Sequence, residues 1–175
     1  MCTLGIEIHN EGVITLLSDS GAKVDSSRQR VYFTEDLIDR ALKVAPHSFK
    51  LHDVLGNEAV DLSGSNVNFT PGSAAISVLD AETGAIRKPV TSDYVRYAKL
   101  MCSMRNIASQ STALIPSDVH ERISDSYRLY LSLLLCEKPV VTGTFTIESF
   151  NVMKDLQLAV RSSDLFIMLT VSGVS

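Results

Sequence analysis

Residues 107–175 read IASQSTALIPSDVHERISDSYRLYLSLLLCEKPVVTGTFTIESFNVMKDLQLAVRSSDLFIMLTVSGVS, and their changing rhythm decides the fold. IASQSTALI (107–115) is a short apolar run that favours a strand. PSDVHERISDSYRLYLSLLLCEKP (116–139) is a turn and a long helix, with Ile123, Tyr127, Tyr130, Leu131 and Leu134 expected inside. VVTGTF (140–145) is a second strand, and Thr146 is placed to cap a helix carrying Ile147, Phe150, Met153, Leu156 and Val160. LFIMLTVSGVS closes the chain as a third apolar run. Strand, helix, strand, helix, strand implies parallel pairing, because a parallel neighbour is reached only through a crossover. The strands are apolar on both faces, as strands covered by helices should be.

Outward from this unit the pattern changes. From Thr91 a helix is expected, capped by Thr91 or Ser92, with Tyr94, Val95, Ala98, Met101 and Cys102 on its inner face. Between 48 and 90 apolar and polar residues alternate, and AISVLD, the turn AETG and AIRKPV read as a hairpin whose Pro89 marks a strand end. Further back, Thr34 caps a helix that begins with Glu35 and Asp36, where the helix dipole favours acids, and that Pro46 ends. Residues 5–20 carry a rough helical stripe, with Gly21 at the position of a C-terminal cap.

The chain has 175 residues, 45% hydrophobic, with a formal net charge of −4. That gives no electrostatic footprint for nucleic acid or an anionic membrane. The apolar runs 131–136 and 165–169 are far too short to span a bilayer, and the start has no basic region of a signal peptide. Three widely spaced cysteines, Cys2, Cys102 and Cys136, suit reduced thiols in a cytoplasmic protein. A parallel sheet that stops on an uncovered strand reads as part of a larger domain, since a parallel barrel needs roughly 250 residues.

No GxGxxG follows any strand, and no nucleophile elbow or P-loop is present. The histidines His9, His47, His52 and His120 lack the i, i+4 spacing of a helical zinc site, so no metal is expected. In a parallel α/β protein the useful positions follow the strands' carboxyl ends. These are Ile115–Asp118, Thr144–Thr146 and Val171–Ser175. Asp118 reads either as a cap for the following helix or as a carboxylate facing a cationic or polar ligand. Thr144 and Phe145 end a strand, where the aromatic ring is either packing or a ligand wall. Ser172 precedes Gly173, where backbone can approach a ligand closely. The TPGSAA segment, with Gly72 and Ser73, reads either as a turn between strands or as a small-residue lip.

The order of motifs carries more than any one residue. LLSDSGAKVD, FTEDLIDRALKVAPHSFKLHD, NVNFTPGSAAISVLDAETGAIRKPVTSDYVRYAKL, MRNI, PSDV and EKPVVTGTF together resemble the trimethylamine methyltransferase family over nearly the whole chain. That family includes pyrrolysine-containing trimethylamine enzymes and relatives without pyrrolysine that act on quaternary amines such as glycine betaine. The resemblance implies an α/β fold with an N-terminal helical and β-hairpin region (1–90) followed by the first βα units of an incomplete TIM (β/α)8 barrel (91–175). It implies a methyl group moved from an amine to the cobalt of a corrinoid (cobalamin) that a partner protein carries. Substrate contacts would then come from Gly72, Ser73, Asp118, Thr144, Phe145 and Ser172 near the barrel mouth, with no catalytic residue assigned. No turnover is expected of the 175 residues by themselves. The competing reading is a non-catalytic module that binds a corrinoid protein or a sister chain, in which case self-association would cover its strand edges.

Overall fold

The computed structural model describes residues 1–72 and 74–160, together with the backbone of a last strand at Ile167–Thr170. It is a mixed α/β structure of two compact units, Met1–His47 and Ser48–Ser175.

In the first unit, three short strands β1 (Ile6–Glu7), β2 (Lys23–Asp25) and β3 (Arg30–Tyr32) form an antiparallel sheet in the order β1-β3-β2. Val31 sits opposite both Ile6 and Val24 and is fully buried. Helix α1 (Glu11–Asp19) is shorter than the stripe over 5–20 suggests, because residues 6–7 pair with β3 instead. Asn10 caps it by accepting from the Val13 amide at 3.0 Å, and Gly21 leaves it at φ +104°. Helix α2 (Glu35–Val44) begins as expected, with the Thr34 hydroxyl accepting from the Leu37 amide at 3.3 Å.

The second unit opens with two hairpins, β4 (Lys50–His52) with β5 (Glu58–Asp61), and β6 (Val78–Leu79) with β7 (Ile86–Arg87). Leu51 and Val60 face each other in the first and are buried. Then come α3 (Thr91–Ser103), β8 (Gln110–Ser111), α4 (Glu121–Leu135), β9 (Val140–Gly143), α5 (Ile147–Val160) and β10 (Ile167–Thr170). The strands pair parallel in the order β10-β9-β8, with Gln110 beside Val140 and Val140 beside Ile167. This is the strand–helix alternation that the periodicity of 107–175 predicts.

The Pro-Gly segment extends that sheet. Ala108 donates to the Phe69 carbonyl at 2.9 Å, Ala75 to the Ala113 carbonyl at 2.7 Å and Ile115 to the Ala75 carbonyl at 3.0 Å. Ala75 and Leu114 form a parallel bridge. Residues 69–72 and 74–75 thus run along the free edge of β8, with the second hairpin and α3 lying between the two in sequence.

Leu129 of α4 and Met153 of α5 pack on Val140 of β9, and Tyr94 and Ala98 of α3 pack against Leu131 of α4. The inner face of α4 differs from expectation. Leu131 is buried, but Ile123, Tyr130 and Leu134 are exposed, and Ser124, Asp125, Arg128, Leu129 and Ser132 lie inside. Polar side chains occupy this face because the neighbouring strands and loops supply their hydrogen-bond partners. On α3, Tyr94 and Ala98 are buried as expected while Cys102 is exposed. Among the described residues, no helix is long and apolar enough to cross a membrane.

Candidate functional site

The carboxyl ends of the parallel strands in the second unit carry Asp118, Thr144 and Phe145, three of the six positions singled out above. The loop after β8 turns at buried Pro116, and the Ser117 amide and hydroxyl both donate to the Pro89 carbonyl, at 2.8 and 2.9 Å. Asp118 follows. Its Oδ1 accepts from the Thr91 amide at 2.9 Å and from the Thr91 hydroxyl at 3.1 Å. Asp118 therefore caps α3, the helix before it, rather than the helix beyond. His120 caps α4, its Nδ1 accepting from the Arg122 amide at 3.2 Å. Neither Thr91 nor Ser92 caps α3 directly, because the N-cap position is held by Val90, whose side chain has nothing to offer.

This occupation of Asp118 gives a first expected result. Asp118→Ala removes a cap worth about 1 kcal/mol, measurable as a lower urea midpoint, while Asp118→Asn keeps most of it.

The loop after β9 is held from below. The Asp125 carboxylate accepts from the Phe145 amide at 2.6 Å and from the Thr144 hydroxyl at 3.2 Å through Oδ2. Its Oδ1 accepts from Arg128 Nη2 at 2.5 Å, and the two side chains are only 3% and 2% exposed. Arg128 also donates to the carbonyls of Thr112 (2.8 Å) and Ser124 (3.3 Å). The Thr112 and Thr142 hydroxyls meet at 2.7 Å. One buried ion pair on α4 thus ties β8 to the β9–α5 loop.

Phe145 lies on top, 67% exposed, with the Arg128 guanidinium carbon 5.5 Å from its ring centroid. The guanidinium occupies one side of the ring, a cation–π arrangement, and Asp125 cancels its charge. Thr146 caps α5 as expected, accepting from the Ser149 amide at 3.1 Å.

A cleft of about 260 Å³ opens beside the loop after β8. Ile76, Ile115 and Val119 give it apolar walls, and Lys88, Glu121 and Ser124 give it polar ones. The Ser124 hydroxyl is buried with no hydrogen-bond partner among the described residues. Sequence reasoning missed Ser124, Asp125 and Arg128, which look like the wet side of an amphipathic helix.

The remaining positions are less engaged. Gly72 is exposed, its carbonyl accepts from the Ser111 hydroxyl at 2.6 Å, and a Cβ added there would meet nothing within 4 Å. No close approach among the described residues therefore demands glycine at 72. Ser73 and Ser172 lie outside the described residues. Among the described residues, no group of three or more His, Cys, Asp or Glu side chains could hold a metal ion.

The family model for trimethylamine methyltransferase matches residues 1–161. A protein of Desulfitobacterium hafniense (strain Y51) named glycine betaine methyltransferase is 31% identical over 136 residues, covering 77% of this chain and 28% of that protein. Another, from strain DSM 10664 / DCB-2 and named a trimethylamine methyltransferase, is 22% identical over 120 residues, covering 69% of this chain and 24% of that protein. The chain thus spans about a quarter of the length of these curated relatives, both named as methyltransferases. It belongs to the trimethylamine methyltransferase family.

Proposed function

We propose that the chain forms the amino-terminal part of a TIM-barrel methyltransferase. The enzyme moves a methyl group from trimethylamine, or from a quaternary amine such as glycine betaine, to the cobalt of a corrinoid carried by a partner protein. The observation that carries this reading is the family match through residue 161, joined by relatives named for these two amines. The successive parallel strands with intervening helices support the barrel, since βα repeats of this kind build one.

The reduced cobalt of the corrinoid supplies the nucleophile, so the tasks left to the protein are binding, orientation and exclusion of water. The exposed Phe145 ring suits an alkylammonium group, which aromatic faces attract. Neutralisation of Arg128 by Asp125 matters here, because an unpaired guanidinium under the ring would repel a second cation. At the cleft, Lys88 offers a cation to the carboxylate of a betaine, a contact trimethylamine has no group to make.

The test is a chimera in which this chain replaces the matching segment of the glycine betaine methyltransferase. Methylation of cob(I)alamin is then followed spectroscopically with each amine. Transfer from one of them is expected, and Phe145→Ala should raise the KM for that amine about tenfold. A folded chimera that methylates cob(I)alamin with neither amine overturns the reading. The chain by itself is expected to give no turnover, because it lacks most of the length of its relatives.

A further inference from the structure

The carboxyl ends of α3 and α4 bring two thiols together. Lys138 Nζ donates to the carbonyls of Met101 at 2.7 Å and Met104 at 2.6 Å, which fixes the chain just after α4 against the last turn of α3. Cys102 lies in that last turn, and Cys136 is the residue that ends α4. Both are free; Cys102 is exposed and Cys136 is buried. The Lys138 anchor thus sets the end of α4 beside the last turn of α3, and the two thiols are near enough to influence each other electrostatically. This end of the unit leads into the amino ends of β8 and β9, away from Phe145 and the cleft.

We propose that Cys102 and Cys136 form an oxidative modification site, a dithiol that a hydroperoxide converts to a disulfide clamping α3 to α4. The exposed thiol reacts first. The sulfur of Cys102, as thiolate, attacks one peroxide oxygen, the O–O bond breaks, and hydroxide leaves and is protonated to water. Cys102 is now a sulfenic acid. The Cys136 sulfur then attacks the Cys102 sulfur, the S–O bond breaks, and a second water departs with the Cys136 proton. Two thiols have lost two electrons and the peroxide has become water. The order of events follows from access and acidity. Burial pushes the Cys136 thiol up to about 11, so it is a poor first nucleophile, but it is already placed beside the sulfur it must resolve. A disulfide between Cys102 and Cys136 also closes a long loop, which restricts the unfolded chain.

The experiment uses the full chain carrying Cys2→Ser, so that no third thiol competes, treated with equimolar hydrogen peroxide and mapped as peptides without reduction. The expected product joins the peptides of Cys102 and Cys136 with the loss of two hydrogens. Its thermal midpoint rises by on the order of 5–10 °C, and dithiothreitol reverses both changes. With Cys136→Ser, Cys102 should instead accumulate as a sulfenic acid that dimedone traps. Oxidation of Cys102 to sulfinic acid while Cys136 stays a free thiol overturns the proposal. So do cross-linked dimers through Cys102, or no reaction at either thiol.

Discussion

Asp125→Asn is expected to lower the stability of the second unit by about 3–5 kcal/mol, the largest single effect the structure implies. The substitution leaves the Arg128 guanidinium inside the protein, 2% exposed, with no counter-charge. An uncompensated buried charge is among the few causes of a loss of this size. Asparagine can still offer an oxygen to the Phe145 amide, but it cannot balance the guanidinium. Arg128→Met should cost less, because Asp125 keeps its bonds to the Phe145 amide and the Thr144 hydroxyl. The double variant should lose clearly less than the sum of the two, since it removes both charges together. Urea unfolding of all four proteins gives the coupling energy. A local readout separates the loop from global stability: amide exchange at Phe145 should quicken in Asp125→Ala, where its acceptor is gone, and change little in Arg128→Met. Protection at Phe145 in Asp125→Ala equal to that in the wild type would show that the pair does not hold the loop.

This pair also shows where the sequence stops being informative. Asp and Arg three residues apart on an amphipathic helix ordinarily mark a solvated face. What buries them is the Thr112 carbonyl and the Phe145 amide, which lie 16 and 20 residues away from Arg128 and Asp125. No local pattern announces partners at that range. By contrast, the helices and the parallel strand order of 107–170 are readable, because alternation and helical spacing are themselves local consequences of which face is covered. Caps are readable where the capping side chain neighbours its helix, as with Thr34 and Thr146. The reading fails at α3, whose first amides are satisfied by Asp118 from across a loop and by Asp93 from within.

The Pro-Gly segment fails for a related reason. Proline, glycine and small residues signal a turn, and periodicity cannot show that the edge of β8 is open to receive them. Of the candidate site, Phe145 is legible as the aromatic at a strand's end. The cleft walls are not, because Lys88 and Ile76 come from segments distant from the loop they face.

The second large effect lies at the junction of the β6–β7 hairpin with α3, and it is a dependence on acid. Arg87 donates to both oxygens of Asp93, at 2.6 and 2.9 Å, and through Nε to Asp80 at 2.8 Å. Asp93 also accepts from the Val90 amide at 2.9 Å and from Arg96 at 2.6 Å, and its side chain is 6% exposed. The Arg87 guanidinium holds both carboxyls well below the usual carboxylate range; at Asp80 the Thr83 and Glu82 contacts of the hairpin turn add to it. A carboxyl lowered on folding stabilises the native state in full only while it is ionised in both states. That stability is complete above the unfolded-state value of about 3.9 and is lost as pH falls from there toward the folded-state value. Asp93→Asn should therefore cost about 2–3 kcal/mol at pH 7, and the gap between variant and wild type should close as pH drops from about 5 toward 2. Urea midpoints at pH 7, 4 and 3 measure this directly. The arginine stays charged throughout, so the narrowing must come from the carboxylates. A gap that stays constant down to pH 3 would mean the guanidinium binds the protonated carboxyl as firmly as the ion. The junction would then be held by packing and neutral hydrogen bonds rather than by charge.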